Sequence, residues 1–144
     1  MADKHLAAGV MLNTAGDLLL LHRRKYDQWE LPGREVGGEL SVAMAAASQG
    51  IYEDLDRTVH KARYLGQTIV SQGDVTIMVE FIQATSYVGG STEILDKSVY
   101  DKMDHFNVFR RNGNRHSVFS PVVHGFLEAL YAGHITLKGQ NPVQ

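Results

Sequence analysis

Residues 29–56 constrain this chain more than any other stretch. Trp29, Glu30 and Leu31 alternate apolar, polar and apolar, then stop at Pro32-Gly33, which reads as a strand end. The loop that follows holds Gly33, Gly37 and Gly38, with Glu35 and Glu39 among them. Ser41 is placed to cap a helix through its hydroxyl. In that helix Met44, Ala47, Ile51 and Leu55 recur at helical spacing and predict a buried stripe. Ala46, Gln49, Gly50, Glu53, Asp54 and Arg57 fall on another face. Two adjacent carboxylates near a helix end, facing a glycine-rich loop, can hold a hard cation such as magnesium through oxygen. A solvated acidic helix end is the commoner fate of such a pair.

The flanking segments supply a sheet. Residues 6–12 are small and apolar and read as a buried strand, followed by turn chemistry at Asn13, Thr14, Ala15, Gly16 and Asp17. Residues 18–22 are a second apolar run, so the two predict a hairpin. It ends in the basic cluster His22, Arg23, Arg24 and Lys25, ordinarily a solvated strand end. Residues 62–70 are strand-like but interrupted by Gly66, and residues 75–84 are the clearest strand in the chain. Val75, Ile77, Val79 and Phe81 take one side of it, and Thr76, Met78, Glu80 and Ile82 the other. Glu80, a carboxylate among apolar neighbours, wants a partner. An edge position or an arginine would satisfy it; the sharper alternative is a supplementary metal or base carboxylate aimed at the glycine loop. Residues 93–109 are weakly patterned, with room for a short helix, and residues 110–116 form a polar basic loop. Ser120-Pro121 opens a second helix whose buried stripe is Val122, Val123, Phe126, Leu127, Leu130 and Tyr131, with Gly133 at its end.

With 144 residues the chain is read as one domain, residues 1–144, with enough length for a core. A net charge of −2 gives no global attraction to nucleic acid or to an anionic membrane. The absence of cysteine excludes disulfides and thiolate metal sites and suits a cytoplasmic protein. No apolar run approaches the ~20 residues that span a bilayer, and no signal-peptide pattern opens the chain. Among the seven histidines no two have the spacing of a zinc-binding helix pair, so each reads as structural or exposed.

The order Trp-Glu-Leu-Pro-Gly, a Gly-Gly-Glu loop and a helix ending in acidic residues resembles the Nudix box. The family's pattern is Gly, five residues, Glu, seven residues, Arg-Glu, an apolar residue, any residue, Glu-Glu, any residue and Gly. Gly33 and Glu39 match its first half, Ile51 its apolar position, and Glu53-Asp54 its acidic pair. The box is degenerate. Gln49-Gly50 stand at the Arg-Glu positions, Asp56 replaces the last glycine, and nine residues separate Glu39 from Gln49.

The resemblance implies an α/β fold, the Nudix-type α/β/α sandwich with a mixed sheet. It also implies hydrolysis of a diphosphate bond in a nucleotide-like or other diphosphate-linked small molecule, with magnesium or manganese. In that reading Glu53, Asp54 and Glu39 are the catalytic carboxylates, with Glu35 a further contributor. Glu53, Asp54 and the backbone of Gly33 hold the metal. Arg23 and Arg24 clamp phosphate, because guanidinium pairs with phosphate oxygens. Tyr26, Trp29 or Tyr87 stacks on a base, and Glu80 joins the substrate site. Dimers are common in the family, which leaves a homodimer open. The missing glutamate at Gly50 keeps a second class in view: a binding protein that retains the pocket without the chemistry.

Overall fold

The alternation in residues 75–84 is the centre of the architecture. In the computed structural model, which describes residues 2–38, 41–89, 99–108 and 118–138, this run belongs to a strand of 15 residues, Val75–Gly89. The elements in chain order are β1 (Lys4–Val10), β2 (Leu18–Arg23), β3 (Gln28–Glu30), β4 (Gly33–Glu35), α1 (Ala43–Leu55), β5 (Arg57–Gln72), β6 (Val75–Gly89), β7 (Tyr100–Phe106) and α2 (Pro121–Tyr131), with a 3-10 turn at Arg24–Tyr26. β6 lies between β1, which it pairs in parallel, and β5, which it pairs antiparallel; β4 closes the other edge, giving the order β4-β1-β6-β5. A second, antiparallel sheet has the order β3-β2-β7. Val79 and Phe81 face α2, where the Phe81 and Phe126 rings meet edge to face at 5.3 Å. Ile82 and Ala7 face Ala46 and Ala47 of α1. The expected α/β/α sandwich with a mixed sheet is therefore the fold, built with two sheets rather than one.

Several elements differ from expectation for identifiable reasons. The predicted hairpin exists only next to its turn, where Leu12 bridges Leu18 and the Leu19 N–H donates to Met11 at 2.9 Å. Beyond that point β1 and β2 join different sheets. Both faces of residues 18–21 are buried, Leu18 and Leu20 against the α2 side and Leu19 and Leu21 against the α1 side, so β2 runs through the interior. The turn itself is as read: Asn13 Oδ1 accepts from the N–H groups of Ala15 and Asp17. β5 runs without a break past Gly66, which absorbs a register shift at φ 152°. Residues 100–106, expected to be irregular or helical, are strand β7. In α2, Ser120 Oγ accepts from Val123 N–H at 3.3 Å and Pro121 occupies the first turn, as predicted. Val123, Phe126 and Leu127 are its buried residues.

In α1 the cap is corrected, and the buried stripe holds at Ala47, Ile51 and Leu55 but not at Met44. Val42, not Ser41, is the N-cap residue and offers no side-chain bond; Ser41 stands one residue too early. Met44 is exposed, and the buried face is Ala46, Ala47, Gly50, Ile51, Asp54 and Leu55. Small residues carry this face because the helix lies almost on the backbone of the sheet. A Cβ on Gly50 would stand 2.8 Å from Gly33 Cα, and one on Gly33 would stand 2.1 Å from the Ala7 carbonyl oxygen. A Cβ on Gly9 would meet Ile51 Cδ1 at 2.8 Å. Among the described residues no helix is long and apolar enough to cross a membrane.

This contact yields a prediction against helix propensity. Alanine is favoured over glycine inside a helix by about 0.8–1.0 kcal/mol. At position 50 the added methyl presses on backbone, which cannot rotate away, and overpacking costs about 1–3 kcal/mol. Gly50→Ala should therefore lower stability in urea unfolding; a higher midpoint at unchanged slope would show that the helix has room to lift.

Candidate functional site

The site is assembled where the end of α1 meets β4. β4 is three residues long and pairs with β1, Gly33 opposite Ala8 and Arg34 opposite Ala7. This register holds Arg34 beside the last turn of α1. Its Nη1 and Nη2 donate to the two carboxylate oxygens of Asp54 at 3.1 and 3.0 Å, a bidentate pair. Its Nε donates to Glu53 Oε1 at 3.1 Å, and Nη1 also donates to the Gly33 carbonyl at 2.7 Å. Asp54 is the inner partner, with 12% of its side chain exposed, and Glu53 the outer, with 48%. Hydrogen bonding to Asp54 raises the Arg34 pKa further above its ordinary value, with the Asp54 and Glu53 charges adding and burial opposing.

A cleft of about 210 Å³ opens beside this cluster, between β1 and the β2–β3 side of the second sheet, lined among others by Arg23, Tyr26, Glu30, Gly33, Tyr100 and Ser120. An adjoining hollow continues it past Arg23, Tyr100 and Gly33 to Arg34, Glu35 and Asp54. Arg23 is fixed in the wall: Nε donates to Glu30 Oε2 at 2.8 Å and Nη2 to the Tyr100 hydroxyl at 3.1 Å. Its guanidinium lies 4.9 Å from the Tyr100 ring centroid and 6.0 Å from that of Tyr26. Glu30 also accepts from Gln28 at 2.7 Å and from the Tyr100 hydroxyl at 3.2 Å. Burial, followed by the Glu30 charge, pushes the Tyr100 phenol up, so it stays protonated as the donor in this network. Tyr26 is 55% exposed at the rim.

The residues singled out from the sequence separate into three groups. Gly33, Glu53, Asp54, Arg23 and Tyr26 come together around the cleft and its continuation. Arg24 does not: it is 74% exposed and its Nε lies 3.6 Å from Asp101 Oδ2. Trp29 points to the opposite face of β3, its ring 4.8 Å from Phe106 and 5.1 Å from His22, and serves packing. Glu80 is on the α1 side of its sheet, where His5 Nε2 lies 2.5 Å from Oε2. That satisfies the demand for a partner with a histidine rather than an arginine. Tyr87 lies under the Arg57 guanidinium, outside the cleft. Glu39 and the basic loop at 110–116 lie outside the described residues.

Arg34, Glu30 and Tyr100 were not legible as site residues. Arg34 had one signal, a cation next to Gly33 in a loop otherwise acidic. His22 is buried with Nδ1 2.7 Å from Asp101 and Nε2 2.8 Å from Asp27, and ties β2 to β7 and to the end of the 3-10 turn.

The carbonyl of Gly33 and the carboxylates of Glu53 and Asp54 are hard oxygen donors, the kind magnesium and manganese take. Their common partner is the Arg34 guanidinium, a stand-in cation. Among the described residues no three acidic or histidine side chains converge as a ready metal site; water and ligand oxygens would complete the shell, as magnesium tolerates. Position 50 contributes nothing to it, since a side chain there would collide with Gly33.

No family model matches the chain, and no curated protein matches it. Solved structures do. A MutT NUDIX hydrolase from Burkholderia pseudomallei aligns with a TM-score of 0.71 at 16% identity, over 87% of this chain and 95% of that one. The MutT protein from Methanosarcina mazei Go1 aligns with a TM-score of 0.73 at 14% identity, over 90% and 94%. A NUDIX hydrolase from Nitrosomonas europaea gives 0.72 at 12% identity, over 94% and 93%. The chain thus has the Nudix hydrolase fold, with a box that departs from the family pattern at Gln49, Gly50 and Asp56.

Proposed function

We propose that this protein is a divergent Nudix-type hydrolase that cleaves a diphosphate bond in a nucleotide-like or other diphosphate-linked small molecule, using magnesium or manganese. The observation that carries the reading is the convergence of the Gly33 carbonyl, Glu53 and Asp54 on one cationic group beside a cleft. These three would hold the metal, which when bound neutralises phosphate charge and makes water a better nucleophile. Arg23 would bind a phosphate oxygen through Nη1, since Nε and Nη2 are held by Glu30 and Tyr100. Tyr26, exposed at the rim, offers a flat apolar face to the group carried by the diphosphate.

A second reading, a ligand-binding protein without turnover, draws on Gly50. The helix approaches Gly33 so closely that the third carboxylate of the family pattern has no space. A phosphate-release screen over diphosphate compounds with magnesium and with manganese separates the two. Turnover supports the hydrolase, whereas saturable binding with none supports the binding protein. For a hydrolysed compound, Glu53→Gln should slow turnover at least about tenfold, since losing one ligand removes more than ~1.4 kcal/mol of transition-state stabilisation. Unchanged turnover would place the chemistry elsewhere.

The two arginines should behave differently. Arg23→Ala should weaken a bound diphosphate compound and flatten its salt dependence, because one screened charge contact is gone. Arg24→Ala should leave affinity within about twofold, in the range of an exposed, weakly paired charge. Equal effects of the two substitutions would show that the 3-10 turn rearranges to bring Arg24 into the cleft.

A further inference from the structure

We infer that Arg34 is a built-in counter-cation that closes the acidic pair of the free protein, so that a divalent metal binds well only with an anionic ligand that draws the guanidinium away. The inference rests on the proposed function for the identity of the metal-holding groups, and it adds the regulation of that site. Each of the three groups that would hold the ion already receives a hydrogen from one side chain: both oxygens of Asp54, Oε1 of Glu53 and the carbonyl of Gly33. A guanidinium and a divalent cation cannot share these atoms, since their charges repel and their positions coincide. Binding of a metal alone therefore has to expel Arg34 from an inner, largely desolvated carboxylate into solvent. Binding of a metal with a diphosphate does not, because the phosphate oxygens give the guanidinium a second bidentate partner.

The fold leaves Arg34 somewhere to go. β4 is an edge strand of only three residues, and the loop after it carries Gly37 and Gly38 at φ 152° and 56°. The hollow in front of Arg34 is shared with Arg23, Glu35 and Val99, so a swung guanidinium would stand across from Arg23 with space for an anion between them. Metal and anionic ligand then bind with positive coupling, each removing an obstacle to the other.

The test is manganese binding without any phosphate compound, followed by calorimetry or by the free-ion electron spin resonance signal. Arg34→Gln removes the charge, and its manganese affinity should rise at least tenfold over wild type. Adding Asp54→Asn in that background should abolish the gain, which locates the ion. Arg34→Lys covers the case in which the glutamine variant fails to fold. One ammonium cannot bond Asp54 twice together with Glu53 and Gly33, so this variant should bind manganese at least about threefold tighter than wild type. Folded variants with wild-type affinity would overturn the inference, as would a gain that survives Asp54→Asn. Tighter manganese binding with no hydrolysis of any diphosphate compound would remove the hydrolase reading and leave the role of Arg34 standing. Hydrolysis that depends on Glu53, with flat manganese affinity in both Arg34 variants, would do the reverse.

Discussion

The contact between Gly50 and Gly33 sets the geometry on which everything near the cleft depends. It brings a helix and a strand together at backbone distance, closer than any side chain would allow. The last turn of α1 is thereby lowered beside β4, and Asp54 is carried below the surface to where Arg34 reaches it with both terminal nitrogens. A buried carboxylate is tolerable only with such a partner. The close approach and the ion pair are thus one construction. The glycines create the depth, and Arg34 satisfies the charge that the depth isolates.

The same principle holds in the cleft wall and in the turn outside it. Arg23 is matched by Glu30 in the wall, and away from the cleft Arg24 is matched by Asp101 and His22 by Asp101 and Asp27. The wall is therefore polar but largely neutralised, and its groups are held in place before a ligand arrives. A bare anion gains little from arginines already paired with carboxylates. A ligand bringing both signs, an anion with its metal, can exchange partners with both members of the Arg34 pair. On the proposed function, charge pairing beside the cleft would then act as a filter on what binds, in addition to fixing the side chains.

How much of this was legible depended on the range of the interaction. The strand at residues 75–84 and the second helix announce themselves through alternation and through Ser120-Pro121, both local signals, and both are where they were read. The first helix buries Ala47, Ile51 and Leu55 as expected, but not Met44. Half of its buried face is alanine and glycine, so a stripe traced through large apolar residues includes Met44 and leaves out Ala46 and Gly50. Partners distant in sequence were invisible. Glu80 and His5 meet because β1 and β6 run parallel, and Glu30 meets Tyr100 only through β7, which has no strong pattern of its own.

The Trp-Glu-Leu-Pro-Gly segment shows how a recognisable string can mark the fold while its side chains divide between two faces. Successive side chains of a strand point to opposite faces, so only one of Trp29 and Glu30 can address the cleft. The tryptophan has the more obvious chemistry for stacking, yet its ring is against Phe106 and His22. The glutamate takes the cleft face and receives Arg23, Gln28 and Tyr100. Two residues later the chain turns, and Gly33 serves twice, its missing side chain admitting α1 and its carbonyl receiving Arg34. On the proposed function, the segment's contribution to binding would lie in a carboxylate that orients an arginine and in a backbone oxygen, while its aromatic ring packs the second sheet.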